Sequence, residues 1–145
     1  MHTLAPTILI AVGVAMAACG SERSPTTVEW RGHVLREVST LADLPSVIQS
    51  GLGASRSGLD GIADRGELFN ATDVVDPTLP MRRFLAAGRD RETWLVALER
   101  GGRGYGVEVF LFSLPEPTPT QKWVLLQFPR TLRDVVQQVS QKETP

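Results

Sequence analysis

The spacing of hydrophobic and polar positions changes several times between residue 28 and the C-terminus. In residues 28–36, apolar side chains alternate loosely with charged ones, which is typical of a half-buried strand. Four further segments rich in β-branched and aromatic residues lie at 82–87, 93–99, 105–114 and 122–128. Because successive strands joined by turns pair antiparallel, this spacing predicts an antiparallel β-meander of about four to five strands.

Two helices are predicted beside the strands. Thr40 and Asp43 are spaced as an N-cap and its acidic partner, and Gly51 provides a stop, so a short helix distorted by Pro45 is expected. A C-terminal helix begins after Thr131, its N-cap, and its apolar stripe consists of Leu132, Val135, Val136 and Val139. The predicted fold class is therefore α+β, with a short N-terminal helix and a C-terminal amphipathic helix that packs on the sheet.

The N-terminal residues follow neither pattern. Residues 4–18 contain no charged side chain, and small residues precede Cys19, the one cysteine of the chain. A membrane-spanning helix needs about 20 apolar residues, so this shorter run is typical of a cleaved export signal. Met16-Ala17-Ala18-Cys19 resembles the lipobox of bacterial lipoprotein signal peptides, in which the cysteine is acylated before cleavage.

This resemblance implies a domain organisation and a location. Residues 1–18 would be the lipoprotein signal peptide, residues 19–27 a lipidated tether, and residues 28–145 a single small α+β domain. Two or more acyl chains on Cys19 would anchor the protein stably to a membrane. Gly20 stands where an Asp would signal retention in the inner membrane, so the resemblance implies the periplasmic face of the outer membrane.

The charge composition indicates neither a nucleic-acid partner nor a metal site. The chain has 15 basic and 16 acidic residues, and such balanced charge gives no reason to expect nucleic acid as a partner. Acidic residues between positions 51 and 80 lack the spacing of a Ca²⁺-binding EF-hand loop, and turns and caps account for them. We therefore expect no metal and no cofactor.

The segment 51–80 is irregular, and a loop of this length in a small domain is often functional. Its pair Leu68-Phe69 and the glycine-rich turn between the strands at 93–99 and 105–114 are the best candidates for exposed contacts. The candidate partner-binding residues are Asp64, Glu67, Phe69, Arg100, Arg103 and Tyr105.

Residues 81–103 contain six arginines, which have two interpretations. They form either a positive patch for carboxylate or phosphate groups, or cross-strand ion pairs with the glutamates at 92, 99 and 108. We favour ion pairing. Arg82 and Arg83 are adjacent in a strand and must point to opposite faces, so they cannot both line one site.

Nucleophilic catalysis finds little support in the sequence. After removal of the signal peptide only His33 remains as a histidine, and no Gly-x-Ser-x-Gly motif is present. We therefore predict a non-enzymatic module that binds a periplasmic or envelope protein, in the manner of an inhibitor, an immunity protein or an accessory subunit. The alternative is a cell-envelope hydrolase that uses the loop carboxylates Asp60, Asp64 or Glu67.

Overall fold

A computed structural model describes residues 26–143 of the 145-residue chain. The predicted signal peptide and Cys19 lie outside these residues. Two helices are present, α1 (Ser46–Leu52) and α2 (Leu132–Glu143). The strands are β1 (Thr27–Trp30), β2 (His33–Val38), β3 (Ile62–Ala63), β4 (Arg82–Asp90), β5 (Thr93–Arg100), β6 (Gly106–Ser113) and β7 (Gln121–Leu125).

The strands form one sheet in the order β1-β2-β4-β5-β6-β7. The pairs along this path are antiparallel, whereas β3 lies parallel to the start of β4, on the side where β2 pairs with its end. The α+β class with a mainly antiparallel sheet and a C-terminal helix is confirmed. The prediction of four to five strands is wrong, because the described residues contain seven.

Two local features account for the additional strands. Arg31 and Gly32 both have positive φ angles, 50° and 78°, and turn what reads as one strand into the β1–β2 hairpin. Strand β3 contains only two residues, which is too short to produce a periodic pattern. Local spacing therefore underestimates the sheet.

The predicted N-terminal helix is interrupted. A single 3-10 turn spans Leu41–Asp43, and α1 begins only after Pro45, which has no N–H to continue the first turn. The helix also passes through Gly51, the predicted stop, and ends at Gly53, whose φ is +77°. Gly51 is needed for a different reason, because a Cβ there would lie 2.0 Å from the carbonyl oxygen of Pro117.

Helix α2 covers one face of the sheet, which we call the α2 face. Its predicted stripe is confirmed, since the four apolar residues of that stripe are buried against the sheet. Its cap is confirmed as well: the backbone N–H of Asp134 donates to Thr131 Oγ1 over 3.2 Å, and Asp134 Oδ2 accepts from the Thr131 N–H over 3.1 Å.

The opposite face, which we call the α1 face, is covered by α1 and the segments around it. Ile48 and Leu52 of α1 pack in one cluster with Phe84, Trp94 and other sheet residues. Because both faces are covered, the central strands β5 and β6 are almost continuously buried and lose the polar–apolar alternation of a one-sided sheet.

Candidate functional site

Three aromatic rings from distant segments meet beside the sheet. Phe69 precedes β4, Tyr105 ends the β5–β6 turn, and Phe128 follows β7. The ring centroids of Tyr105 and Phe128 are 4.9 Å apart, and those of Phe69 and Tyr105 are 6.3 Å apart. We call these three residues the aromatic surface.

An ion pair on the α2 face supports this surface. Arg83 and Glu99 are cross-strand neighbours on β4 and β5, and their side chains are joined by a 2.6 Å contact from Arg83 Nε to Glu99 Oε2. The hydroxyl of Tyr105 donates to the other carboxylate oxygen, Oε1, over 2.8 Å. The guanidinium of Arg83 also lies 4.2 Å from the ring centroid of Phe69. One ion pair thus holds two of the three rings.

The same contacts change the acidity of Tyr105. Burial, followed by the hydrogen bond to Glu99, raises the pKa of the Tyr105 phenol to about 12. The phenol is therefore protonated at neutral pH and acts as a hydrogen-bond donor rather than as a base. This arrangement fixes the orientation of the ring, which is the property that a preorganised contact surface needs.

A groove of about 400 Å³ opens beside Phe128. Arg83 and Glu99 lie in its wall, and Arg65 and Arg130 contribute from the flanking loops. Phe128 itself is 60% exposed. The groove therefore combines an accessible aromatic ring with several guanidinium groups, which is a composition common in protein interfaces.

Of the six predicted contact residues, two belong to this surface and a third contacts its supporting ion pair. Phe69 and Tyr105 belong to it, and Glu67 reaches it through its backbone, since its carbonyl oxygen accepts from Arg83 over 3.2 Å. Arg103 is exposed at the β5–β6 turn. Arg100 lies on the α1 face, where its Nη1 is 3.4 Å from the buried carboxylate of Glu108.

The side chain of Asp64 is hydrogen-bonded to backbone groups of neighbouring segments. Its Oδ1 accepts hydrogen bonds from the backbone N–H groups of Leu41 and Arg65, over 2.9 and 2.7 Å. The side chain of Glu67 accepts in turn from the Asp64 N–H over 2.7 Å. These bonds close the turn that carries β3 toward Phe69, so both carboxylates help to position the aromatic surface without belonging to it.

Sequence reasoning did not single out Arg83, Glu99 or Phe128 as site residues. The available signal for the first two was the expected pairing of arginines with glutamates across strands, which the structure shows for Arg83–Glu99 and Arg100–Glu108. Phe128 was assigned to a strand, but β7 ends at Leu125 and leaves the ring in the segment before α2. Its exposure depends on that early strand end.

Within residues 26–143, no three His, Cys, Asp or Glu side chains are grouped closely enough to hold a metal ion. No helix in that range is long and apolar enough to cross a bilayer. His33 lies at 3.0 Å, through Nδ1, from Asp90 Oδ2. The chain matches no protein-family model, no curated protein and no solved structure.

Proposed function

We propose that this protein is a lipid-anchored periplasmic lipoprotein that acts as a non-enzymatic protein-binding module, of the inhibitor, immunity or envelope-accessory type. Its anchor is the acylated Cys19, and its partner is a periplasmic or envelope protein that contacts the aromatic surface. The observation that carries the binding role is the exposure of Phe128, at 60%, beside the fixed ring of Tyr105.

Two leucines close in sequence to residues of the aromatic surface are exposed as well. Leu68, next to Phe69, is 78% exposed, and Leu126, two residues before Phe128, is 77% exposed. Solvated aromatic and aliphatic side chains release water when a partner covers them, and aromatic residues supply much of the binding energy at interfaces. The rings of Phe69 and Tyr105 need little reordering on binding because the Arg83–Glu99 pair already holds them.

The anchor is tested by metabolic labelling of cells with a fatty-acid analogue. We expect the wild-type protein to carry the label and the Cys19→Ala variant to lack it. Mass spectrometry of the mature protein should then show Cys19 as the modified N-terminal residue. A mature protein that retains residues 1–18 would contradict the proposal.

The binding role is tested by site-specific photocrosslinking in intact cells. A photoreactive phenylalanine at position 128 should crosslink to a discrete envelope protein, whereas the same group at Val34 should not. Val34 is a matched control because it is 54% exposed and lies on β2. The identified partner, once purified, should bind Phe128→Ala at least about tenfold more weakly than wild type, which corresponds to about 1.4 kcal/mol, and should bind Val34→Ala unchanged.

The hydrolase alternative predicts a different result. It requires turnover of peptidoglycan, esters or phosphoesters that is lost in Asp64→Asn. We expect no turnover by the purified protein. Turnover that depends on Asp64, together with equal crosslinking from positions 34 and 128, would replace the binding role with the hydrolase.

A further inference from the structure

A pocket with two arginines lies on the α1 face, away from the aromatic surface. Arg36 of β2 is the direct cross-strand neighbour of Arg89 of β4, and Arg89 is in turn the direct neighbour of Trp94 of β5. Directly opposed residues of antiparallel strands project from the same face, with Cβ atoms about 4.5–5.5 Å apart. Two positive charges and an indole therefore lie in one row across three strands.

The two arginines have no counter-ion within the described part of the chain. Neither guanidinium has a carboxylate within 4.0 Å there, whereas Arg31, Arg65, Arg83 and Arg100 all do. Like charges in direct cross-strand register destabilise a sheet. An anion placed between Arg36 and Arg89 would remove this repulsion.

The arginines line a pocket of about 500 Å³. Asp43, Leu44 and Pro45, which lead into α1, also line it, and Trp94 forms part of its sheet side. The guanidinium of Arg89 lies 5.8 Å from the Trp94 ring centroid. The site is thus an open concavity lined by two exposed guanidinium groups.

Trp94 lies beside the two arginines and provides a spectroscopic reporter for the pocket. Its side chain is buried, with 4% exposure of the residue, and its indole Nε1 has no hydrogen-bond acceptor among residues 26–143. Buried donors in folded proteins nearly always have an acceptor. Trp30 Nε1 on the α2 face is buried without an acceptor in the same way, and neither nitrogen is reached by solvent, so the Trp94 indole is a reporter beside the pocket and not a group that binds its ligand.

The acidic residues nearby do not neutralise the pocket. Asp43, whose Oδ2 accepts a 2.7 Å hydrogen bond from the Thr40 hydroxyl, lies at its rim and contributes one negative charge against the two positive charges of Arg36 and Arg89. The carboxylate of Glu37 lies 3.6 Å from Arg65, on the side of the sheet opposite to Arg36. The pocket therefore keeps an excess of positive charge.

We propose that the pocket between Arg36 and Arg89 binds an oxyanion, a carboxylate or phosphate group, held by the two guanidinium groups beside Trp94. Guanidinium groups bind such anions through paired, charge-assisted hydrogen bonds, and two of them in register can hold one group from both sides. The proposal is independent of the protein-binding role, because it uses the other face of the sheet and none of the residues of the aromatic surface.

Anion titration of the full-length protein in a non-ionic detergent tests the proposal. Sodium phosphate and sodium succinate serve as probes, with sodium chloride at equal ionic strength as the control, and the indole N–H signal of Trp94 is followed by NMR. We expect a saturable shift of this signal with phosphate, with succinate or with both, and none with chloride. A response to only one probe identifies the group as phosphate or carboxylate.

Three variants distinguish binding in the pocket from general charge effects. Arg36→Gln and Arg89→Gln should each weaken binding of the effective probe at least about tenfold. Arg103→Gln, which changes an exposed arginine of the β5–β6 turn, should leave binding unchanged. Equal weakening by all three variants, or a chloride response equal to that of both probes, would overturn the proposal.

A stability measurement covers the case in which the arginines are structural. In chloride buffer, Arg36→Gln and Arg89→Gln should keep or raise the Tm, because each removes a like-charge contact. The effective probe should raise the Tm of wild type and not that of these variants. A Tm lowered by both substitutions in chloride, with no Tm increase of wild type on adding either probe, would assign the arginines a structural role and refute the anion site.

Discussion

Substitution Tyr105→Phe removes the hydroxyl that donates to Glu99 and keeps the ring that contacts Phe69 and Phe128. The acceptor carboxylate is only 14% exposed and is also paired with Arg83. Hydrogen bonds to charged groups contribute about 1.5–3 kcal/mol, and solvent screening at the partly exposed phenol lowers this value. We therefore expect the free energy of unfolding at pH 7 to fall by about 1–1.5 kcal/mol.

The pH dependence of stability reports the burial of the same phenol together with its hydrogen bond to Glu99. The pKa of Tyr105 is raised from 10.0 to about 12, first by burial and then by the bond to Glu99. The folded state thus favours the protonated phenol. This stabilisation is complete below pH 10, decreases as the pH rises from 10 to 12 because only the unfolded state loses its proton, and is absent above pH 12.

The magnitude follows from the size of the shift. One pKa unit corresponds to about 1.36 kcal/mol, so a shift from 10.0 to about 12 limits the stabilisation by the protonated phenol to at most ~2.7 kcal/mol. Solvent screening of a partly exposed group reduces this figure to roughly half, about 1–1.5 kcal/mol. Burial of the phenol and its bond to Glu99 together should therefore make wild type lose about 1–1.5 kcal/mol more stability than Tyr105→Phe between pH 10 and 12.

The assay is direct because Tyr105 is the only tyrosine in the chain. Ultraviolet absorbance of the phenolate therefore reports this residue alone, and we expect its midpoint to lie well above that of the urea-unfolded protein. Urea denaturation of wild type and Tyr105→Phe at pH 7 and at pH 10 to 11 gives the free energies. A native phenol that titrates near pH 10 while circular dichroism still shows the folded sheet would refute the reasoning.

Three further predictions concern the fold, and each is measured by urea denaturation. Replacement of a helical Gly by Ala normally stabilises a helix by about 0.5–1 kcal/mol. Gly51→Ala should instead destabilise the protein, because the new Cβ would lie 2.0 Å from the carbonyl oxygen of Pro117. An unchanged or higher urea midpoint would contradict this contact. Phe112 is 0% exposed, so Phe112→Ala should lower the free energy of unfolding by about 3–5 kcal/mol. Phe128 is 60% exposed, so Phe128→Ala should lower it by less than about 1 kcal/mol. Similar losses for the two variants would show that Phe128 is buried. Thr131→Ala should cost about 1 kcal/mol by removing the N-cap of α2, and no loss would mean that the cap is dispensable.

Much of the fold could be predicted from local chemistry. Helix α2 follows from a 3.6-residue apolar period and from a capping pair separated by three residues, and both act within one turn of the chain. Strands β5 and β6 follow from dense β-branched and aromatic runs bounded by turn residues. The adjacency of Arg82 and Arg83 likewise placed them on opposite faces, as their different partners show.

The candidate sites depended on long-range pairing. Phe69, Tyr105 and Phe128 have no common periodicity, and they meet because β4, β5 and β7 are brought together in a single sheet. The cross-strand pairing of Arg36 with Arg89 could not be predicted either, because α1 and β3 lie between their strands in the chain. A shift of one residue in strand pairing would send alternate side chains to the other face.

The sequence alone therefore determined the class of the fold, its terminal helix and its most regular strands, because those depend on neighbours within a few residues. Tertiary structure decided the pairing of β3 with β4, the passage of α1 through Gly51, which packs against Pro117, and the composition of both surface sites. These features depend on cross-strand register and on packing between segments far apart in the chain, and such contacts leave no local pattern.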